Sequence, residues 1–546
     1  MCAVTGKTVV EGDVEVSEGI DYARFYTTTM KKFAALHDVD ITSKGTILVI
    51  SPWNFPCAIP IGGIVAGLAG GNTVILKPAT VAAPVAWLFA KAFWDAGVPK
   101  EALQVIITDR EALKELTTAP AIKHIILTGG TDTAQSIARI NPSTPLSAET
   151  GGKNAIILTA SGDRDHAIMN IVTSAFGNAG QKCSACSLLL VERSVYEDKN
   201  FQDKLKDAAT SIKVGSVWEA GNVVGPMITN RNDKLLQALT LEPGESWLVP
   251  PKFIDEKQYI LAPTVKWGVK PGSYSFRTEL FGPMLSVACI DNLQQGIELV
   301  NSLDYGLTSG LQSLDENEQK LWKDSILAGN LYINRGITGA IVNRQPFGGM
   351  KLSAFGGGVK AGGPNYCACL VKITDKPESN TDYKQSYPHA YEEEFAHARD
   401  INKLYGEQNA FRYLPLKNMV LRLFPGDSNE EAEMIALATK LCHTPLTISF
   451  DPNDDRTTAL SSTGCTLKKE TLDEFLKTMR SYERIRTCGA DIPMEMYEEA
   501  ARRNKYIATA KPVKNGRVEL IHYIKEQSIS FEFHRYGSIL DVPPVE

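Results

Sequence analysis

This sequence predicts an α/β protein in which parallel strands alternate with helices around more than one core. Three observations carry that prediction. Runs such as "TILVISPW" and "NTVILKPA" are apolar and β-branched with little polar alternation, as strands buried on both faces must be. Helical stretches separate such runs, so strand–helix–strand units recur along the chain. The length, 546 residues, exceeds what one hydrophobic core organises, so two or three domains are expected.

The elements follow in order. After those two strands, "APVAWLFAKAFWDAGVP" reads as a helix stopped by Gly97 and Pro99, and "LQVII" and "IKHIILTGG" read as further strands. Residues 1–150 form the first expected domain. Residues 151–347 form a second, with "NAIILTA", "SLLLVE" and "GNLYINR" as strands and "DKNFQDKLKDAATSI" as an amphipathic helix. Residues 348–372 return to the first domain. The polar stretch "TDKPESNTDYKQSYPHAYEEE" reads as a linker or exposed arm. It opens a C-terminal α/β extension, 373–546, of Rossmann-like pattern. There "NMVLRLF", "NEEAEMIALATKL" and "PLTISF" give strand–helix–strand, "KETLDEFLKTMRSYERI" and "MEMYEEAARRNKY" read as helices, and "VELIHYIKEQSISFEFH" reads as a strand pair or a helix-to-strand stretch.

Composition excludes several classes of function. Hydrophobic residues make up 43% and charged residues 22%, the profile of a soluble globular protein. A net charge of -6 without a long basic run argues against nucleic acid and anionic membrane surfaces as partners. No apolar run approaches the ~18 residues a membrane span needs. The first residues are acidic and lack signal-peptide or transit character. Ten cysteines without framework spacing suggest reduced thiols in the cytoplasm, or in the mitochondrial matrix of a eukaryote.

Chemistry concentrates in "FGNAGQKCSACSLLL". Cys183 and Cys186 are open to three readings: a redox pair, half a metal site, or one nucleophile with a bystander. A metal site needs a second pair, and Cys367 and Cys369 are remote, so no metal is expected. The nucleophile reading needs partners. "PLSAETGGKNAIIL" supplies Glu149 before a double glycine. "ISPWNFPCAIP" supplies Asn54, a turn former whose amide could equally face an oxyanion. "LTGGTDTA" ends a strand with glycines at a helix start, where backbone N–H groups can meet phosphate. Each of these signals is weak alone, and together they are specific.

In family order, "SPWNFP", "GNTVILKPA", "LTGGTDTA", "ETGGKN", "GQKCSACS", "TELFGP" and "QPFGG" resemble the aldehyde dehydrogenase superfamily, over roughly residues 1–370. Through "GQKCSACS", "NRGITGAIVNRQPFGG" and "VKAGGPNY" the chain most resembles the L-glutamate γ-semialdehyde (Δ1-pyrroline-5-carboxylate) dehydrogenases. "SISFEFHRYG" looks like the end of the dehydrogenase half of bifunctional proline-utilization proteins. The resemblance implies a Rossmann-type cofactor domain, a catalytic domain and the extension. It also implies NAD-dependent oxidation of a small semialdehyde, self-association, and a proline dehydrogenase as partner. Family members carry a longer segment ahead of the first helix here, so the N-terminus is expected to be truncated.

Roles carry over by resemblance. Cys183 would be the nucleophile, Asn54 and the Cys183 N–H the oxyanion donors, and Glu149 the base that activates water. Cys186 would be a packing neighbour. Ile50, Ser51, Pro52, Trp53, Lys77, Gly129, Gly130, Glu279 and Phe281 would line the cofactor cleft. Ser184 and the N–H groups of Gly339 and Ala340 would hold a substrate carboxylate, and Phe55 and Phe347 would sandwich its aliphatic chain. Thr80 stands where many members carry an acid on the adenosine ribose, so NADP stays open beside NAD. The alternatives are a dehydrogenase for another small semialdehyde and a truncated, non-catalytic subunit.

Overall fold

The computed structural model describes residues 1–229, 232–255, 257, 259–489 and 491–539. A long helix, α1 (Val9–Ala34), opens the fold, with Thr8 capping its N-terminus. The strands β1 (Thr46–Ser51), β2 (Thr73–Pro78), β3 (Leu103–Val105), β4 (Ile122–Thr128) and β5 (Leu146–Glu149) follow, with α2 (Ala58–Ala69) after β1 and α3 (Thr131–Ile140) after β4. They form a parallel sheet in the order β5-β4-β1-β2-β3, which the short antiparallel strand Ala354–Phe355 extends beside β5. Ile47, Val49, Val74 and Leu76 pack against Tyr22 and Tyr26 of α1 in one core.

A larger sheet carries β6 (Asn154–Leu158), β7 (Cys186–Glu192), β8 (Ser246–Val249), β9 (Thr264–Trp267), β10 (Met284–Ile290), β11 (Thr308–Gln312) and β12 (Asn330–Ile333). Helix α4 (Arg164–Phe176) lies between β6 and β7 and buries Ile171 and Phe176 against it. The chain then contributes β13 (Glu407–Pro415) and, after a separate sheet, β19 (Ile524–Glu532). The large sheet runs β13-β19-β12-β11-β6-β7-β10-β9-β8, parallel except at its two outermost pairings. The separate sheet comprises β14 (Met419–Arg422), β15 (Leu446–Phe450), β16 (Thr466–Lys469), β17 (Arg484–Arg486) and β18 (Tyr506–Ala508). Its order is β16-β15-β14-β17-β18, all parallel, with helix α5 (Asn429–Leu441) after β14. Residues 373–546 thus build a five-stranded sheet and a short hairpin of their own and two strands of the large sheet. Of that span, residues 490 and 540–546 lie outside the described residues.

Two local expectations are corrected. The stretch read as a linker contains a docked helix, Tyr383–Ala390. Its polar residues face out while Tyr383, Tyr387 and Ala390, at helical spacing, enter the core around α5. The helix expected through Ile485 ends at Thr478, because Arg484, Ile485 and Arg486 enter the parallel ladder as β17. Arg486 is fully buried, and its guanidinium pairs with Glu519 at 3.1 Å and donates to the Thr487 carbonyl. An Arg-rich run that looks like a solvated helix face is here a buried, compensated strand. Of the two readings of the C-terminal "VELIHYIKEQSISFEFH", the structure shows the helix-to-strand one: helical turns lead into the strand β19.

Tyr387 is completely buried, and its hydroxyl donates to the Val513 carbonyl at 2.7 Å. Tyr387→Ala is expected to cost about 3–5 kcal/mol by leaving a cavity. Tyr387→Phe is expected to cost about 1 kcal/mol for the lost hydrogen bond. Urea unfolding of the two variants checks this; a near-neutral Tyr387→Ala would mean that the helix is not docked.

Candidate active site

The thiol loop follows from its glycines. After α4, Asn178, Ala179 and Gly180 all take positive φ, at 52°, 53° and 67°, which reverses the chain before Cys183. Gly180 has no substitute: a Cβ there would stand 2.2 Å from the Gly282 carbonyl oxygen. The turn leaves Cys183 partly exposed and sends Cys186 into the buried start of β7, where its Sγ faces the Leu188 carbonyl at 3.4 Å. All ten cysteines are free. Among the described residues, neither Cys183 nor Cys186 belongs to a group with metal-ligand spacing.

Asn154 fixes this loop, and sequence reasoning missed it. Its Nδ2 donates to the carbonyls of Cys183 at 2.6 Å and Ala185 at 3.1 Å, and its Oδ1 accepts from the Thr308 N–H at 3.0 Å. Asn54, buried on the loop after β1, donates from Nδ2 to the Gln181 carbonyl at 3.1 Å. That bond holds Asn54 against the thiol loop. Ser184 is buried beside the thiol.

Two carboxylates flank the thiol. Glu149 ends β5 and accepts from the Gly349 N–H at 3.1 Å. Burial pushes its carboxyl up to about 8, while the Lys360 ammonium and the Gly349 amide pull it down. Glu279 accepts from the Gly152 N–H at 2.9 Å, and burial raises it to about 7. Gly151 makes this approach possible, since a Cβ there would lie 2.1 Å from Glu279 Oε2. Burial first, then the charges of Glu279 and Glu149, push the Cys183 thiol up to about 12. In this state the sulfur is a neutral thiol, and thiolate forms only if a base takes its proton.

Several of the residues expected at the cofactor stand beside β1. Ile50 and Lys77 are register partners on β1 and β2. The Ser51 hydroxyl is buried with no hydrogen-bond partner. Desolvation lowers the Lys77 ammonium from its ordinary value. Pro52 and Trp53 follow on the same loop, and Trp53 meets Phe281 edge-on at 5.6 Å. The Gly129 N–H donates to the Glu149 carbonyl, and Gly130, exposed, forms the N-cap of α3 with open space around it.

On the substrate side, Phe347 pairs through its backbone with Ala361 next to Gly348. Phe55 has one face covered by the buried Lys7 ammonium, 3.8 Å from its ring centroid. Gly339 and Ala340 stand on the loop after β12, Gly339 exposed at φ 92°. Their N–H groups make no hydrogen bond among the described residues. Sequence reasoning also missed the clamps on these segments. Lys182 pairs with Glu11 of α1 at 2.7 Å. Arg335 and Arg344 pair with Glu407 of β13 at 2.8 and 3.3 Å. No short-range signal could have found these pairs.

The chain thus joins a thiol lying between two carboxylates to a dinucleotide-type parallel sheet in one α/β architecture. The model of the aldehyde dehydrogenase family matches residues 1–374. The chain belongs to that family, whose members are oxidoreductases acting on aldehydes. It is 34% identical over 389 residues to a 1-pyrroline-5-carboxylate dehydrogenase of Geobacillus sp. (strain WCH70), covering 67% of this chain and 74% of that one. With the protein of that name from Bacillus subtilis (strain 168) it shares 32% identity over 382 residues, 66% of this chain and 73% of that one. Among solved structures, proline utilization A (PutA) from Corynebacterium freiburgense aligns over 98% of this chain, with 38% identity and a TM-score of 0.86. The chain spans 55% of that longer protein. A 1-pyrroline-5-carboxylate dehydrogenase from Thermus with bound NAD aligns over 68% of this chain and 75% of its own, with 32% identity and a TM-score of 0.63. Among the described residues, no helix is long and apolar enough to cross a membrane.

The two carboxylates predict a measurable bias on the thiol. Glu149→Gln and Glu279→Gln each remove a negative charge that disfavours thiolate. Each variant is therefore expected to alkylate faster than wild type at Cys183 between pH 8 and 10, by roughly three- to tenfold for a shift of about half to one pH unit. Peptide mass spectrometry after timed iodoacetamide treatment reads this; equal rates would remove the carboxylates from the thiol's environment.

Proposed function

We propose that the protein oxidises L-glutamate γ-semialdehyde to L-glutamate with NAD, through a thiohemiacetal and a thioester on Cys183. The observation that carries this reading is the arrangement of Cys183, Asn54 and Glu149 at the junction of the two sheets. The names of the relatives supply the substrate class. The cofactor cleft fits a dinucleotide: Ser51 offers a buried hydroxyl in need of a partner, Lys77 a cation, and Gly130 an open approach to the N-terminus of α3. Thr80 in place of an acid keeps NADP as a second candidate.

The chain's own residues have distinct tasks. Loss of its proton to solvent lets Cys183 attack the aldehyde carbon, forming a C–S bond and an alkoxide. The remaining Asn54 N–H and the Cys183 backbone N–H face that oxygen and stabilise its charge. The chemistry supplied by a bound nicotinamide is acceptance of a hydride from that carbon, which oxidises the aldehyde to the acyl level. Glu149, as carboxylate, then takes a proton from water while the hydroxide attacks the thioester. The C–S bond breaks, Cys183 regains a proton, and the product leaves as carboxylate. Ser184, Gly339 and Ala340 would hold the substrate's α-carboxylate, and Phe347 and the free face of Phe55 would cover its methylene groups.

The same reading makes proline dehydrogenase a partner, because the C. freiburgense neighbour is named for proline utilization. Self-association stays part of the proposal.

The test is reduced-nicotinamide formation by the full chain with NAD and glutamate semialdehyde. Cys183→Ala is expected to abolish it, and Asn54→Ala to lower kcat about 10²–10³-fold. Water activation needs the Glu149 carboxylate, so the rate should climb as pH rises towards about 8. Equal turnover of an aldehyde lacking the α-carboxylate would overturn the substrate assignment, and turnover by Cys183→Ala would overturn the mechanism.

A further inference from the structure

Helix α1 grips two loops of the site at once. Glu11 and Glu15 stand one helical turn apart on it, so their side chains share a face. Glu15 is buried, and its Oε1 accepts from the Cys57 N–H at 2.7 Å and the Ala58 N–H at 3.2 Å, where α2 begins. A carboxylate suits the partial positive charge of a helix start. Its Oε2 pairs with the ammonium of Lys7, the same buried cation that lies on the Phe55 ring. Glu11 pairs with Lys182 at 2.7 Å. A Cβ on Gly177 would stand 3.5 Å from Glu11 Oε1 and 3.5 Å from the Lys182 ammonium, so this pair lies over the entry to the turn at Asn178–Gly180. Between the two gripped loops runs the bond from Asn54 Nδ2 to the Gln181 carbonyl. Asn54 shares its loop with Cys57, and Gln181 adjoins Lys182. The contacts thus close a ring: from Glu15 to Cys57, along the chain to Asn54, across to Gln181, on to Lys182, and back to α1 at Glu11.

We propose that Glu11 and Glu15 are positioning residues through which α1 sets the place of Asn54 relative to Cys183. This rests on the reading of Asn54 as oxyanion donor and Cys183 as nucleophile given above. The Asn54–Gln181 bond joins the two loops to each other, and α1 holds the far side of each, so their separation is set twice. Oxyanion stabilisation needs that precision: a donor must stand about 2.7–3.1 Å from the oxygen, and a misplacement of about 1 Å can cost about 10²-fold in rate. The charges suit the task. An ionised Glu15 would be costly in its dry position without a partner, and the Lys7 ammonium offsets it. The Glu11–Lys182 pair is half-buried, where solvent and salt screen it less than they would a surface pair.

Glu11→Ala cuts the ring and leaves the buried Lys7–Glu15 pair intact. In the full chain, kcat for reduced-nicotinamide formation should fall about five- to twentyfold. The KM values for glutamate semialdehyde and NAD should stay within about twofold, because Asn54 meets a charged oxygen only on the way to the transition state. In an Asn54→Ala background the same substitution should cost less than about twofold, since the group it places is gone. Lys182→Gln cuts the pair from the other side and should act alike, which keeps the test should Glu11→Ala fail to fold. Hydrogen exchange read by mass spectrometry needs no turnover: residues 53–58 and 177–183 should exchange faster in either variant, and β7 should not. A kcat loss that vanishes in the Asn54→Ala background, with faster exchange in both segments, supports the proposal. Equal losses in both backgrounds, an unchanged kcat, or unchanged exchange overturns it. In a chain that never turns over, exchange alone decides this proposal, and the failure belongs to the activity reading.

Discussion

The side-chain amide of Asn154 holds together the segments on which the site depends. It stands at the first residue of β6 and satisfies the backbones of the thiol loop and of the start of β11 at once. The Ala185 carbonyl and the Thr308 N–H are buried, and each would cost about 1–3 kcal/mol if left unpaired. The position of the Cys183 carbonyl is therefore a consequence of sheet formation: when β6, β7 and β11 align, the loop has one place to be. The strained turn at Asn178–Gly180 is tolerated because these bonds and the Asn54–Gln181 bond fix the chain that leaves it.

Burial then decides the chemistry. A half-buried thiol flanked by carboxylates is a poor thiolate, which protects it until a proton acceptor and an electrophile are both present. Burial makes Glu149 a stronger base than a solvated glutamate. One environment thus suits both halves of the proposed cycle, attack by sulfur and activation of water. Its cost is a cluster of unfavourable charges, offset by the amides of Gly152 and Gly349 and by the Lys360 ammonium.

What the sequence disclosed follows from range. The strands of the first two sheets were legible because their apolar runs are buried on both faces, as at Ile156–Leu158 and Leu188–Val191. The motif residues Cys183, Glu149 and Asn54 were legible because each sits beside a glycine- or proline-marked turn. The helix at Tyr383–Ala390 was hidden by Pro388 and its polar neighbours, although the spacing of Tyr383 and Tyr387 carried the signal. β17 was hidden because buried arginines mimic a solvated helix. Glu11–Lys182, Arg335–Glu407 and Lys360–Glu526 join residues far apart in the chain, and no local pattern encodes such pairs.

The family model ends at residue 374, yet the chain beyond it is not an appendage to the site. β19 pairs in parallel with β12, Asn330 to Ile333 against Ser528 to Phe531. The Ser528 hydroxyl donates to the Pro346 carbonyl at 2.6 Å, and Gln345 donates to Ser530 and to Asn409 of β13. Glu407 neutralises the two arginines that bracket the loop holding Gly339 and Ala340. Without these strands, β12 would become a sheet edge with unpaired backbone groups. The segment from Arg335 to Gly348 would lose the partners that define it. Because Asn330 on that same β12 receives the Lys360 ammonium and the Gly348 N–H, such a loss would pass directly to Glu149. The C-terminal strands therefore belong to the site's support by the same hydrogen-bond logic that makes Asn154 indispensable on the other side of the thiol.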